Sequence, residues 1–262
     1  MLYKLTVCVV AYKNYDDIKK MLLSLTEFTS SKLKKHIFIV DNSYKETAPE
    51  LIASFKDFIK NIPDTEYVES NSNLGFGRAH NLIINSIDSE YHAIVNPDIL
   101  FCEDSLSKIV ELMDQDPSIG MTIPLITDEI GNILDVYRRE LTVFDVFNRM
   151  VLRKIFKKRS DYHSMKDMDF SKPFKVPFGQ GSFLVIRTSI FKQLKGFDEE
   201  YFMYVEDADL CKRVNLISNL MFFPGTRIVH KWEKGSHKKI NLLRYHLISM
   251  KHYFSKWGYK FF

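Results

Sequence analysis

Three carboxylates, Glu206, Asp207 and Asp209, fall within four residues in the segment Tyr204-Val205-Glu206-Asp207-Ala208-Asp209. They repel one another, so the arrangement costs electrostatic energy unless something cationic compensates. An acidic first helical turn favours the helix dipole, which accounts for one or two of them. It accounts less well for the aromatic approach, Phe197-Asp198-Glu199-Glu200-Tyr201-Phe202-Met203-Tyr204, which should pack the acids against apolar surface. A carboxylate in such surroundings has its pKa raised towards that of a general base. The second candidate is Asn96-Pro97-Asp98. Pro and Asp favour turns in any chain, but an acid at a strand end can also hold a divalent metal against a diphosphate. Other phosphate-binding schemes lack their residues. Ala11-Tyr12-Lys13-Asn14 contains no glycine, so no GxGxxG follows the first strand, and no GxxxxGKS or GxxxxGKT occurs.

The elements that must position these acids alternate in type over the first 125 residues. Leu5 to Ala11 is a short β-branched apolar run, as in a strand buried on both faces. Ile18, Met21, Leu22 and Leu25 then recur at helical spacing. His36 to Val40 is a second strand ending at Asp41-Asn42-Ser43. Thr47-Ala48-Pro49-Glu50 reads as a capping box with proline early in a helix, followed by Leu51, Phe55 and Phe58 on one face. Tyr67-Val68-Glu69 is a weaker strand. Asn73-Leu74-Gly75-Phe76-Gly77 turns into a helix with Ala79, Leu82, Ile83, Ser86 and Ile87 along one side. A strand from His92 to Val95, a helix marked by Leu106, Ile109, Val110 and Met113, and a strand at Met121-Thr122-Ile123 complete the half. Such alternation predicts an α/β fold with a Rossmann-like, mostly parallel central sheet covered by helices on both faces and followed by a helical basic C-terminal part; ligands of such a sheet bind beyond the carboxyl ends of the strands. Those ends carry Tyr12-Lys13-Asn14, Asp41-Asn42-Ser43 and Asn96-Pro97-Asp98.

The second half is less regular. A hairpin is expected over 126–136 around Gly131-Asn132, then a basic, partly helical stretch over 137–177 and a strand from Phe183 to Ile186. A helix from Glu206 to Ile217 places Leu210, Val214 and Ile217 inward. Short strands near Met221-Phe223 and Ile228-His230 precede a helical, aromatic tail over 241–257.

At 262 residues, 45% hydrophobic and 27% charged, the chain has the balance of a globular protein with a substantial core. Its net charge of +4 does not demand a nucleic-acid partner, and no recognised nucleic-acid module is present. Cys8, Cys102 and Cys211 form no CxxC pair and sit among apolar neighbours, which predicts buried thiols in a reducing compartment. The N-terminal apolar run ends after Ala11 without a cleavage site, and no stretch reaches the 18 apolar residues of a membrane span. The expected location is cytoplasmic.

Asp41-Asn42-Ser43, Asn73-Leu74-Gly75-Phe76-Gly77 with Asn81, Asn96-Pro97-Asp98, Gly179-Gln180-Gly181-Ser182, Gly196-Phe197-Asp198-Glu199 and Glu206-Asp207-Ala208-Asp209 occur in this order. Together they resemble the glycosyltransferase family 2 enzymes of the GT-A fold, particularly the rhamnosyltransferase-like branch that builds bacterial surface polysaccharides. The resemblance runs from about residue 3 to 257 and implies one catalytic domain over 1–262. Residues 1–125 would then be the nucleotide-sugar half and 126–262 the acceptor half. It further implies that Ala11, Tyr12 and Asp41 bind the nucleoside, with Asp41 accepting from a pyrimidine N3–H. Asn73, Gly75, Gly77 and Arg78 match the loop along the donor. Asp98 matches the last acid of the metal-binding Asp-x-Asp motif, whose first position is here Asn96, a neutral oxygen ligand. His230 resembles the additional metal or phosphate ligand, so the implied cofactor is Mg2+ or Mn2+. Asp207 corresponds to the general base, with Glu206 and Gly181 at the acceptor and Asp209 capping or bracing the helix; the roles of Asp207 and Glu206 are exchangeable.

The implied reaction is inverting transfer of one sugar, dTDP-L-rhamnose being the favoured donor and a UDP-hexose the rival. A non-catalytic nucleotide-sugar or glycan-binding subunit is the rival from another class, prompted by Asn96. The implied acceptor is a polyprenyl-diphosphate-linked saccharide, which brings peripheral contact with the cytoplasmic face of the membrane. Two segments suit such a surface. Arg149 to Arg159 has six cations and no acid, with Phe144, Phe147, Val151 and Ile155 at helical spacing. From Lys234 to Phe262 there is no Asp or Glu, and aromatic rings alternate with lysines.

Overall fold

The structure is a computed structural model, and it describes residues 2–149, 155–231 and 240–261. In the first half, β1 (Tyr3–Ala11), α1 (Tyr15–Phe28), β2 (Lys35–Asp41), α2 (Pro49–Ile59), β3 (Thr65–Glu69), α3 (Phe76–Asn81) and β4 (Ser89–Val95) alternate as the periodicity predicts. They are followed by β5 (Ile99–Phe101), α4 (Ser105–Gln115) and β6 (Ile119–Thr127). β1 pairs in parallel with β2 and β4, and β2 with β3. The last seven residues of β1 are all buried, as a strand covered on both faces requires.

The second half contributes β7 (Tyr137–Arg138), α5 (Val143–Phe147), α6 (Lys157–His163), β8 (Phe174–Lys175), β9 (Phe178–Gly179) and β10 (Phe183–Arg187). Then come α7 (Thr188–Gln193), α8 (Glu206–Ile217), β11 (Asn219–His230) and α9 (Ile240–Trp257). The main sheet runs β3-β2-β1-β4-β10-β6-β11-β5, with β8 beside β11. β10 is antiparallel to both β4 and β6, so the sheet is mixed rather than wholly parallel. A small second sheet joins β7 to β9. Through these pairings the late strands are sewn into the middle of the early ones, and both halves share one core.

Several local expectations are corrected. Thr47 does not cap α2. Its hydroxyl donates to the Ser43 carbonyl at 3.0 Å, and Ala48 takes the N-cap position ahead of Pro49. The buried face of α2 is Ile52, Phe55 and Ile59, one residue out of phase, which leaves Leu51 exposed. α3 ends at Asn81, so Leu82 points outward while Ile83 and Ile87 stay in the core. Ile217 is exposed at the end of α8. The two short late strands are one, β11, with a bulge between Phe223 and Arg227. Cys8 and Cys211 are buried, whereas Cys102 is partly exposed. Of the basic amphipathic helix drawn through Phe144, Phe147, Val151 and Ile155, α5 carries the first two, Ile155 lies just ahead of α6, and Val151 is outside the described residues. The hairpin over 126–136 forms, with Thr127 bridged to Ile133 and Gly131 at φ +91°.

Candidate active site

The carboxyl ends of β1, β2 and β4 and the amino end of α8 converge on one face. Asn42, just past β2, organises the loop that follows β3. Its amide donates to Asn73 Oδ1 and to the Gly75 carbonyl, both at 3.0 Å, and its Oδ1 accepts from the Leu74 amide at 2.8 Å. Gly75 sits at φ +81°, and a Cβ there would stand 1.8 Å from the Phe202 carbonyl oxygen, so only glycine fits. A Cβ on Gly77 would stand 2.8 Å from Phe197 Cβ. Both glycines thus press this loop against the segment that leads into α8. Asn81 completes that seam by donating to the Phe197 carbonyl and accepting from its amide, each at 2.9 Å. Arg78 reaches along the same seam to the Glu199 carbonyl.

Asp41 is buried and surrounded by donors. Tyr15 Oη approaches one carboxylate oxygen at 2.6 Å and Tyr67 Oη shares that oxygen. The amide and hydroxyl of Ser43 hold the other at 2.9 and 3.0 Å. In this arrangement a nucleobase N–H reaches Asp41 only if a tyrosine gives way. Ala11 is buried at the end of β1, and the exposed Tyr12 ring projects beyond it with its hydroxyl on Glu46.

Asn96 and Asp98 leave β4 in a turn fixed by the Asn96 amide on the Ser182 carbonyl at 2.8 Å. The Lys231 amide bonds the Asp98 carbonyl at 3.0 Å, which sets the end of β11 against that turn. His230 Nε2 consequently lies 3.0 Å from Asp98 Oδ2, although the two residues are 132 apart in sequence. Sequence had proposed both, and the fold joins them.

The acidic turn opens α8. Glu206 is buried, and its Oε2 has no hydrogen-bond partner among the described residues. Desolvation, and after it the charge of Asp207, push its pKa up to about 8. Asp207 is half-buried. Its Oδ2 accepts from the Gly181 amide at 2.9 Å and its Oδ1 from the Ala208 amide at 2.8 Å. Burial raises its pKa, while those amides and the Arg138 charge pull the other way. Of the two neighbours, Asp207 has the amide donors that favour a charged carboxylate and Glu206 has its Oε2 without one. Asp209 is braced as expected, accepting from Arg213 Nε at 2.7 Å and from the Trp257 indole at 2.9 Å.

The entry to α8 is strained. Tyr204 and Val205 have φ of +70° and +68°, and for a β-branched residue this is an outlier costing roughly 1–3 kcal/mol. Strain of this kind persists where surrounding structure imposes it, and here it sits directly before the two acids.

Asn96, Asp98, Gly181, Glu206, Asp207 and His230 all line one cleft of about 630 Å³. Tyr12, Asp41, Asn73, Gly75, Gly77 and Arg78 are not in its wall. They support it or lie beside it. Sequence reasoning missed Arg138, Arg149, Tyr204 and His246, which also line the cleft. Arg138 is buried on β7, donates to Gln180 Oε1 at 3.3 Å and lies over the Phe178 ring. An arginine in a run of loop residues gives no local sign of this. An adjoining cavity of about 740 Å³ shares Arg138, Arg149 and His230 with the cleft.

The mixed α/β sheet of this order is the GT-A fold of glycosyltransferases. Residues 6–195 match the model of Glycosyl transferase family 2, and the chain belongs to that family. It is a glycosyltransferase. Its relatives include the N-acetylglucosaminyl-diphospho-decaprenol L-rhamnosyltransferase of Mycobacterium tuberculosis, 25% identical over 86% of this chain and 75% of that protein. Rhamnosyltransferase WbbL of Escherichia coli K12 is 26% identical over 86% of this chain and 82% of its own length. Among solved structures, GalNAc-T7 with UDP, GalNAc and Mn2+ superposes with a TM-score of 0.69 at 15% identity, covering 95% of this chain and 48% of that one. The mannosyltransferase PcManGT of Pyrobaculum calidifontis, with GDP-Man and Mn2+, gives 0.64 at 16% identity over 90% of this chain and 59% of its own. The chain thus spans about half to three fifths of the length of these two structures.

Proposed function

We propose that the chain transfers one sugar, with inversion, from a nucleotide-sugar donor to a lipid-linked saccharide. The observation that carries this reading is the presence, in one cleft, of the Asp98–His230 pair and the Glu206–Asp207 pair. Asp207 takes the proton of the acceptor hydroxyl as that oxygen attacks the anomeric carbon and the nucleoside diphosphate leaves from the opposite side. Glu206, protonated at neutral pH, donates a hydrogen bond that orients the acceptor, and Gly181 holds Asp207 in place. A single displacement inverts the centre and forms no covalent intermediate.

The donor set fits a divalent cation. Asp98 supplies a carboxylate, His230 an imidazole nitrogen and Asn96 a neutral oxygen, and no cluster of three or more acid, histidine or cysteine ligands stands among the described residues. Two or three protein ligands suit Mg2+ or Mn2+, which keep positions for phosphate oxygens and water. Bound there, the ion would neutralise the leaving diphosphate.

The names of the M. tuberculosis and E. coli relatives support rhamnose as the sugar, and its dTDP form is our reading of the donor. The first of these names also supports a polyprenyl-diphosphate-linked acceptor; we read the setting as O-antigen or capsule synthesis, with peripheral contact at the cytoplasmic membrane face. No helix among the described residues is long and apolar enough to cross a membrane. The name of a hexosyltransferase of Haloferax volcanii, 22% identical over 81% of this chain, supports a second reading in which the sugar is a hexose, for which our donor is the UDP form. Incubation with a panel of nucleotide sugars and a lipid-linked acceptor, reading nucleoside diphosphate release, separates the two. No release with any donor contradicts both.

A further inference from the structure

α9 is apolar on two faces. One face packs on the domain through the buried Ser249, Tyr253 and Phe254, with the Ser249 hydroxyl on the Met203 carbonyl at 2.8 Å. The other leaves Leu243, Leu247 and Ile248 at 49%, 55% and 51% exposed, within six residues. Arg244 and Lys251 are exposed on that same side. A surface helix of a globular protein normally shows one apolar stripe and one polar face. Single exposed leucines are ordinary, but three aliphatic side chains together on a helix turn, flanked by two cations, are not.

We infer that this outer face of α9 lies on an anionic lipid surface and so sets the mouth of the catalytic cleft at the bilayer. The inference rests on the lipid-linked acceptor proposed above and names the surface that meets it. Charge selects the occupant. From Lys234 to Phe262 the chain has no Asp or Glu, so two copies meeting through this face would bring cation against cation without a counter-charge. Anionic headgroups supply that counter-charge, and the three aliphatic side chains enter the headgroup–acyl boundary between them. Continuity supplies the function. Leu242, Leu243, His246 and Met250 line the cleft that holds Glu206 and Asp207, so Leu243 stands where the outer face and the cleft meet. An acceptor whose lipid stays in the bilayer reaches Asp207 past this edge.

The test is sedimentation of the full chain with vesicles of phosphatidylcholine alone or with added phosphatidylglycerol. Leu247→Glu/Ile248→Glu alters the outer face without touching a residue of the cleft wall. Wild-type protein is expected on the anionic vesicles and not on the neutral ones, with at least a tenfold loss of binding in the double variant. Turnover on a water-soluble, short-chain acceptor should be equal in the two proteins, which also shows that the variant folds. Turnover on acceptor embedded in anionic vesicles should fall with binding. Equal vesicle binding by wild type and variant, absence of binding by both, or a wild-type dimer that the substitutions dissociate would overturn the inference. Should neither protein release nucleoside diphosphate from any donor, it is the transfer reading that fails, whatever the vesicles show.

Discussion

The cleft has two acidic sites, and their charges are compensated in opposite ways. Asp98 faces an imidazole at 3.0 Å, at the junction of two strand ends whose backbones fix each other. Glu206 and Asp207 have backbone amides and each other, at the start of a helix whose preceding residues are strained. A carboxylate beside a histidine can share a cation with it. In the second pair desolvation raises both pKa values, and the Arg138 charge pulls Asp207 the other way. On the proposed function, the difference lets one cleft serve two ends of a reaction. The first site suits the growing negative charge of a leaving diphosphate, and the second suits a proton acceptor.

Substitutions should break this contrast in graded steps. Asp207→Asn removes the base while keeping the acceptor atom that the Gly181 amide needs. Turnover should fall by roughly 10²–10⁴-fold, measured as nucleoside diphosphate release with acceptor present. His230→Ala leaves Asp98 without its neighbour and should lower turnover by about 10²-fold, with a raised requirement for added Mn2+ in the same assay. If His230→Ala left the metal titration unchanged, Asp98 and His230 would not be a shared site.

Glu206 sharpens the contrast through pH. Its folded value of about 8 lies above its ordinary 4.5, so between those values the native chain binds more protons than the unfolded one. The stability it contributes is complete below pH 4.5 and is lost as pH rises through 8. Glu206→Gln should therefore lose less stability than wild type between pH 5 and pH 8, by ~1–3 kcal/mol, seen in denaturant midpoints at the two pH values. Trp257→Phe, the smallest change, removes the indole donor from the buried Asp209 and should cost about 1 kcal/mol with only a few-fold loss of turnover. Thermal unfolding and steady-state rates measure the two effects.

The sheet was legible because its strands are continuous β-branched runs that end in Asn, Asp and Ser, and the end of each run marked a site loop. The acidic turn was legible because three carboxylates in four residues need an explanation. What escaped was whatever depends on distant pairing. Arg138 enters the cleft because β7 joins β9, two residues against two, which no periodicity announces. The antiparallel insertion of β10 between β4 and β6 is likewise a matter of long connections. Near misses such as Leu51 for Ile52 came from phase, since Thr47 turned back to Ser43 and the helix began one residue later. Asp41 was found as a site residue, but its ring of tyrosine and serine donors comes from three separate elements and shows only in the fold.

The central claim is that the two acidic sites divide leaving-group and nucleophile work. Calorimetric titration of the donor's nucleoside diphosphate with Mn2+ into Asp207→Asn and Asp98→Ala tests it directly. The account predicts that Asp207→Asn binds like wild type although it does not turn over, while Asp98→Ala loses the binding. Equal loss of binding in both variants would contradict it.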